Sequence, residues 1–246
     1  MAEAMTINDL LGGSSDPLVA TTRGAIRFLV FNRPDARNAM TRDMRRDYAR
    51  ELRAADADPA ISAVVVTGAH GYFSAGVDIK ETPAGSNLPL VRPHPVEANR
   101  AMSKPTVAMV DGPCVTGGLE VALSCTFVIA SDRSRFVDTH IKIGRFPGWG
   151  LGALLISAIG ARRAAQMTMS GQFIDARQAY EWGLVNELTT PENLVARTLD
   201  ILETIGGYAQ DDIRRYIDHN RRVEGMDLET ALALEFVTVE KRKAGI

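Results

Sequence analysis

Residues 73–80 read F-S-A-G-V-D-I-K and residues 115–120 read V-T-G-G-L-E. Each follows an apolar run, V-V-V-T-G at 64–68 and T-V-A-M-V at 106–110. Inside a helix Gly costs about 0.8–1 kcal/mol against Ala, so a glycine pair opening a helical segment needs a reason. The chemical reason is close approach: without a Cβ, a ligand atom can reach the backbone N–H groups. The first N–H groups of a helix lack an intrahelical partner and carry the positive end of its dipole. Such groups suit an oxyanion. Two of them, one from each turn, would polarise a carbonyl if they converged. Glu120 adds a carboxylate at the head of the apolar run V-A-L-S-C-T-F-V-I-A, where it could move a proton. Taken singly, each feature also fits something plainer. Gly-Gly is a common tight turn, and an acid in a first helical turn gains about 0.3–1 kcal/mol from the dipole alone.

The elements that must hold these residues can be read from periodicity. P-L-V-A-T-T-R and A-I-R-F-L-V-F-N are two strands about Gly24. Met40, Met44, Tyr48 and Leu52 share one helical face, with Thr41 as the N-cap. A-V-V-V-T-G-A, P-T-V-A-M-V-D-G and F-V-I-A-S-D are β-branched runs of the kind buried on both faces of a sheet. Strands alternating with helices give an α/β fold with right-handed crossovers. Residues 81–96 carry four prolines and read as a loop, of a length that is usually functional or mobile. From Gly150 the chain turns helical, and its last stretch places Leu228, Leu232, Leu234 and Phe236 near one side. The first 16 residues, ending in G-G-S-S-D, read as a loose arm.

Composition excludes several classes. The chain has 246 residues, 46% hydrophobic and 24% charged, with a net charge of −2 and no block of like charge, so nothing in it calls for nucleic acid or a membrane surface. Two cysteines, Cys114 and Cys125, fit a reducing cytoplasm better than a disulfide framework. No secretory signal or membrane-spanning run is read. No Cys/His spacing points to a metal, and no P-loop or dinucleotide fingerprint occurs.

Together, F-S-A-G-V-D-I-K and V-T-G-G-L-E resemble the crotonase, or enoyl-CoA hydratase/isomerase, superfamily. The resemblance extends to L-V-F-N-R-P-D-A-R-N-A-M at 29–40, H-I-K-I-G-R-F-P-G-W-G at 140–150 and the segment M-T-M-S-G-Q-F-I-D-A-R-Q-A-Y-E-W-G-L-V-N-E-L at 167–188. It implies an α/β crotonase-like spiral of ββα units at 17–190, with a helical C-terminal trimerisation region at 191–246. The assembly implied is a homotrimer or hexamer. The implied substrate is an acyl-CoA thioester, with no further cofactor and no metal.

Residue by residue, the resemblance implies an oxyanion hole formed by the N–H groups of Val77 and Gly117. It places CoA and acyl contacts at Ala36, Arg37, Ala75, Asp78 and Ile79, with Phe146 and Trp149 lining the acyl pocket. Asp78 is expected to fix its loop rather than react. Hydratases of the family use two glutamates about one water. Glu120 matches the first; where the second would stand, in a strand ending at Gly144, this chain has His140. Three readings of His140 stay open: a general acid or base, a shaping element for different chemistry, or an inert residue. Asp138, two residues earlier, would orient the imidazole if the segment is extended. The leading expectation is hydration of a 2-enoyl-CoA through a thioester enolate. The alternatives are an enoyl-CoA isomerase or another crotonase-type reaction, and a non-catalytic acyl-CoA binder.

Overall fold

The computed structural model describes residues 5–81 and 92–243. In chain order its elements are β1 (Leu18–Arg23), β2 (Ile26–Phe31), α1 (Arg42–Ala57), β3 (Ala63–Gly68), α2 (Pro95–Arg100), β4 (Thr106–Val110), β5 (Pro113–Val115), α3 (Gly117–Ser124), β6 (Phe127–Ser131), β7 (Arg135–Val137), α4 (Leu151–Ser170), β8 (Ile174–Asp175), α5 (Ala176–Trp182), β9 (Glu187–Thr189), α6 (Leu194–Gly206), α7 (Gln210–Val223) and α8 (Leu228–Lys243).

Among the described residues six strands form one sheet in the order β1-β2-β3-β4-β6-β9. The hairpin β1-β2 is antiparallel and the other pairings are parallel. A smaller sheet joins β5 to β7 in parallel and β7 to β8 antiparallel. Every residue of β3 and β4 is buried, as their unbroken apolar runs require of strands covered on both faces. Alternation divides the core in two. Leu29, Phe31, Val64, Val66, Ala108 and Val110 face α1, α3 and α4; Phe28, Val30, Val65, Val107 and Met109 face α6. Tyr48 of α1 donates its hydroxyl to Asn99 of α2 at 2.7 Å, and the Asn99 amide donates to Ser124 Oγ and Val121 O of α3. That buried chain of polar contacts ties together the three helices around the site.

Several expectations change. Residues 5–16 are not loose, because Ile7 and Leu10 are buried in the α6-side core. Burying one such side chain contributes about 1.5–3 kcal/mol. The proline-rich loop ends earlier than expected. Pro95 opens α2, and His94 caps it by accepting from Glu97 N while Glu97 accepts from His94 N. Residues 82–91, the middle of that loop, lie outside the described residues. The segment expected as a strand ending at Gly144 is instead a 3-10 turn over His140–Ile143, with the strand stopping at Val137. On α8, Leu234 lies over a cleft against α7 rather than beside Leu228, Leu232 and Phe236, since 100° per residue carries it around the helix.

Candidate active site

The two glycine turns are brought together through two buried residues, Asn38 and Ser74. Asn38, at a φ of 58°, donates to Ala69 O at 2.9 Å and Tyr72 O at 2.7 Å, and accepts from Arg33 N at 2.8 Å. Its carbonyl accepts from Ser74 Oγ, which in turn accepts from Gly76 N at 3.0 Å. Ser74 O then accepts from Val115 N at 2.9 Å, joining the first turn to the second. Met40 bridges to the next residues by donating to Gly76 O and accepting from Asp78 N. This pairing passes over Val77, whose N–H donates to no protein acceptor among the described residues. The same holds for Gly117 N–H, the first of α3. The two amides are close: a Cβ on Gly117 would lie 3.2 Å from Val77 N, and one on Gly76 would lie 2.9 Å from Gly117 N. Gly76 also has a φ of +91°. Gly118 has a different reason to lack a side chain, because its Cβ would meet Ser74 O at 2.8 Å.

Thr116, before α3, is strained, with φ 49° and ψ −106° in a residue that has a Cβ. Such backbone costs of order ~1–3 kcal/mol and persists only when its surroundings hold it. Here Thr116 N donates to Val137 O, its hydroxyl shares a 2.5 Å bond with Thr139 Oγ1, and it accepts from Thr139 N at 3.0 Å. The corner that aims Gly117 N–H is thereby clasped to the segment that carries His140.

Glu120 lies one helical turn into α3 and is 2% exposed. Its Oε1 accepts from Trp149 N and Leu151 N, each at 3.1 Å, at the start of α4. Oε2 accepts no hydrogen bond from the described residues. Burial pushes this carboxyl above its ordinary value; the His140 charge and the two amides partly oppose the rise, and Asp138 adds to it. The charges of His140 and Asp138 therefore both reach Glu120. Asp138 Oδ1 accepts from His140 N at 3.0 Å and lies 2.8 Å from His140 Nδ1. The side chains are 2% and 13% exposed, respectively. The expectation that Asp138 meets the imidazole holds, but through a tight turn and not through a shared strand face. With Nδ1 engaged, Nε2 is the nitrogen left for chemistry.

The expected substrate contacts divide. Ala36 and exposed Arg37 form the outer turn; Arg37 lies 5.9 Å over the Tyr72 ring and its carbonyl accepts from Ala75 N. Asp78 accepts from Arg33 Nη1 at 3.0 Å and from Lys80 N at 3.1 Å. Burial tends to raise its carboxyl, but these partners hold it below the ordinary value. Ile79 is exposed beside it. Trp149 is buried, with Cζ3 3.4 Å from the Cβ position of Gly117, and so lies against the amide pair. Phe146 does not share that place, being 92% exposed, because Pro147 and Gly148 separate it from the turn that buries Trp149. Two neighbours of Trp149 went unread in the sequence: His94 stacks on it with ring centroids 5.8 Å apart, and the Arg45 guanidinium lies 5.8 Å over it.

The mixed α/β fold thus presents two backbone amides that meet no acceptor among the described residues, near a buried acid, an arrangement chemically able to stabilise an oxyanion. The comparisons are specific. The family Enoyl-CoA hydratase/isomerase matches over residues 21–244. A probable enoyl-CoA hydratase of Rhizobium meliloti is 31% identical over 95% of this chain and 94% of its own. The 2,3-dehydroadipyl-CoA hydratase of Escherichia coli is 30% identical over 89% of this chain and 87% of its own. Among solved structures, an enoyl-CoA hydratase from Mycobacterium tuberculosis superposes with a TM-score of 0.78 at 34% identity, covering 94% of this chain and 99% of that one. One from Bacillus anthracis reaches 0.84 at 25% identity, covering 92% and 90%. The chain belongs to the enoyl-CoA hydratase/isomerase family and has the crotonase fold.

Proposed function

We propose that the protein is an enoyl-CoA hydratase in which His140 works in the place of a second carboxylate. The thioester oxygen accepts hydrogen bonds from Val77 N–H and Gly117 N–H. A water held between Glu120 and His140 gives a proton to Glu120 Oε2 as its oxygen bonds to the β-carbon. The electron pair of the double bond moves to the thioester oxygen, and the amides with the α3 dipole hold the resulting enolate. His140, entering the step as an imidazolium with Nδ1–H on Asp138, delivers its Nε2 proton to the α-carbon and is left neutral, and the proton held by Glu120 returns to the imidazole through water when product leaves. The observation that carries this reading is Glu120: buried, aimed by two α4 amides through Oε1, and within electrostatic reach of the Asp138–His140 pair. If the same groups moved one proton from carbon to carbon, the outcome would be isomerisation without gain of water.

The test follows loss of the conjugated thioester absorbance with short and medium 2-enoyl-CoAs, with product mass. Wild type is expected to add water. Glu120→Gln is expected to lose at least about 10²-fold in kcat, the scale of positioned acid–base catalysis, and His140→Ala a comparable factor. Product of unchanged mass would replace hydration with isomerisation, and full activity in His140→Ala would remove the imidazole from the mechanism.

CoA contacts at Ala36, Arg37, Ala75, Asp78 and Ile79 belong to this proposal, as does assembly into a trimer or a dimer of trimers. The latter is supported by the exposed apolar side chains of α8. A reducing cytoplasm fits Cys114 and Cys125, both free, with burial pushing the Cys125 thiol up to about 12. Among the described residues no helix is long and apolar enough to cross a membrane.

A further inference from the structure

Arg45 is out of keeping with its helix face. It shares the buried side of α1 with Met44, Tyr48, Ala49, Leu52 and Ala55, and is itself 5% exposed. Neighbouring Arg46 and Arg50 lie in solvent and pair with Asp43 and Asp47. Arg45 makes no ion pair among the described residues, and residues 82–91 contain no Asp or Glu. Its Nε donates to Thr41 O at 3.1 Å, which fixes the plane of the guanidinium. Its Nη1 and Nη2 donate to no acceptor among the described residues. The carboxylate whose field reaches it, Glu81, already accepts from Arg42 N at 2.7 Å. A cation that is only 5% exposed, with no opposite charge paired to it among the described residues and a donor edge that meets no protein acceptor there, is set to receive an anion.

Its position says where that charge would come from. The Trp149 ring touches the Gly117 position on one side of the site and has the Arg45 guanidinium 5.8 Å over its centroid. Arg45 is therefore one indole away from the amides that would hold a thioester carbonyl. The phosphates of CoA are a poor match for it. They are bulky, solvated groups expected near exposed Arg37, whereas Arg45 is enclosed. What fits is a small planar anion at the end of the acyl group, which a guanidinium edge can grip with two parallel bonds.

We propose that Arg45 binds a carboxylate at the far end of the acyl chain, so that the preferred substrates are 2-enoyl-CoA thioesters of dicarboxylic acids. This rests on the reading of the site as one that binds acyl-CoA.

The test compares two 2-enoyl-CoAs of equal chain length, one ending in a carboxylate and one in a methyl group. Wild type should favour the carboxylate by at least about 100-fold in kcat/KM, since a site that pairs a buried polar group rejects the analogue lacking it by up to about 10⁴–10⁵-fold. Arg45→Leu should lose or reverse that preference while keeping its rate on the methyl substrate. Arg45→Lys keeps charge without the fork and should fall between, which covers the case in which Arg45→Leu does not fold. Wild-type preference for the methyl substrate would overturn the proposal and leave hydration standing. An equal rise in KM for both substrates in Arg45→Leu would also overturn it, by placing Arg45 on the CoA portion they share. If neither is turned over, calorimetry with the saturated thioesters decides. Tighter binding of the carboxylate form, abolished in Arg45→Leu, would keep the proposal while hydration fails; equal binding would end it.

Discussion

Glu120 is an acid whose surroundings set both its reactivity and its cost. Burial raises its carboxyl above 4.5, so the folded chain holds that proton more tightly than the unfolded chain does. Its contribution to stability is therefore full below the unfolded value and is lost as pH rises through the raised folded value. Thermal denaturation of wild type and Glu120→Gln across pH should show the mutant gaining on wild type from below 4.5 toward neutrality. A mutant that instead loses ground to wild type in that direction would contradict the burial argument. As a base Glu120 must be ionised, so the acid limb of the rate profile should lie above 4.5 as well. At this scale the sequence was legible where residue type and chemistry coincide. Glu120 drew attention because a carboxylate stands beside a glycine turn, whereas His140 drew attention only because the family resemblance implies a second carboxylate at its position. Arg45 drew none, because T-R-D-M-R-R-D looks like a solvated helix start, and only three-dimensional packing separates its buried arginine from the exposed ones. His94 was hidden among prolines for the same reason.

Elements position the site through corners more than through lengths. The strands were legible because β-branched runs have few other homes. The 3-10 turn at His140–Ile143 and the helix at Pro95–Arg100 were not, since each depends on a contact made elsewhere: Asp138 folding onto its neighbour, and His94 closing a capping box. The turn at Gly76 is the most exacting corner. Its φ is +91°, and any Cβ would press on Gly117 N and, at 3.1 Å, on Val115 O. Both are backbone atoms and have little room to give. Gly76→Ala should push the two amides apart and lower kcat by about 10²–10³-fold, the loss expected when one oxyanion donor is removed. A near-wild-type rate in the same absorbance assay would show that Val77 N–H is not a donor to the thioester.

At the scale of the molecule, the described chain is unequal in its two ends. The sheet and its flanking helices enclose two apolar clusters, whereas α8 buries none of its residues and leaves Leu228, Leu232 and Phe236 more than half exposed. Apolar strips of this kind mark surfaces that other chains cover. Light scattering on wild type should give three chains per particle or a multiple of three, and Leu232→Glu with Phe236→Glu should give a smaller species; a monomeric wild type would overturn the proposed assembly. The helical character of this end was legible from periodicity, but which side chains it exposes was not, because that requires knowing which neighbour is missing. The packing around the amide pair has one more consequence. The chain has two tryptophans, and one of them, Trp149, is packed among His94, Arg45 and the amide of Gly117. The other, Trp182, lies under Arg163 on the far stretch of α4. One of the two indoles thus stands at the candidate site, so tryptophan fluorescence offers a built-in optical gauge of what enters there.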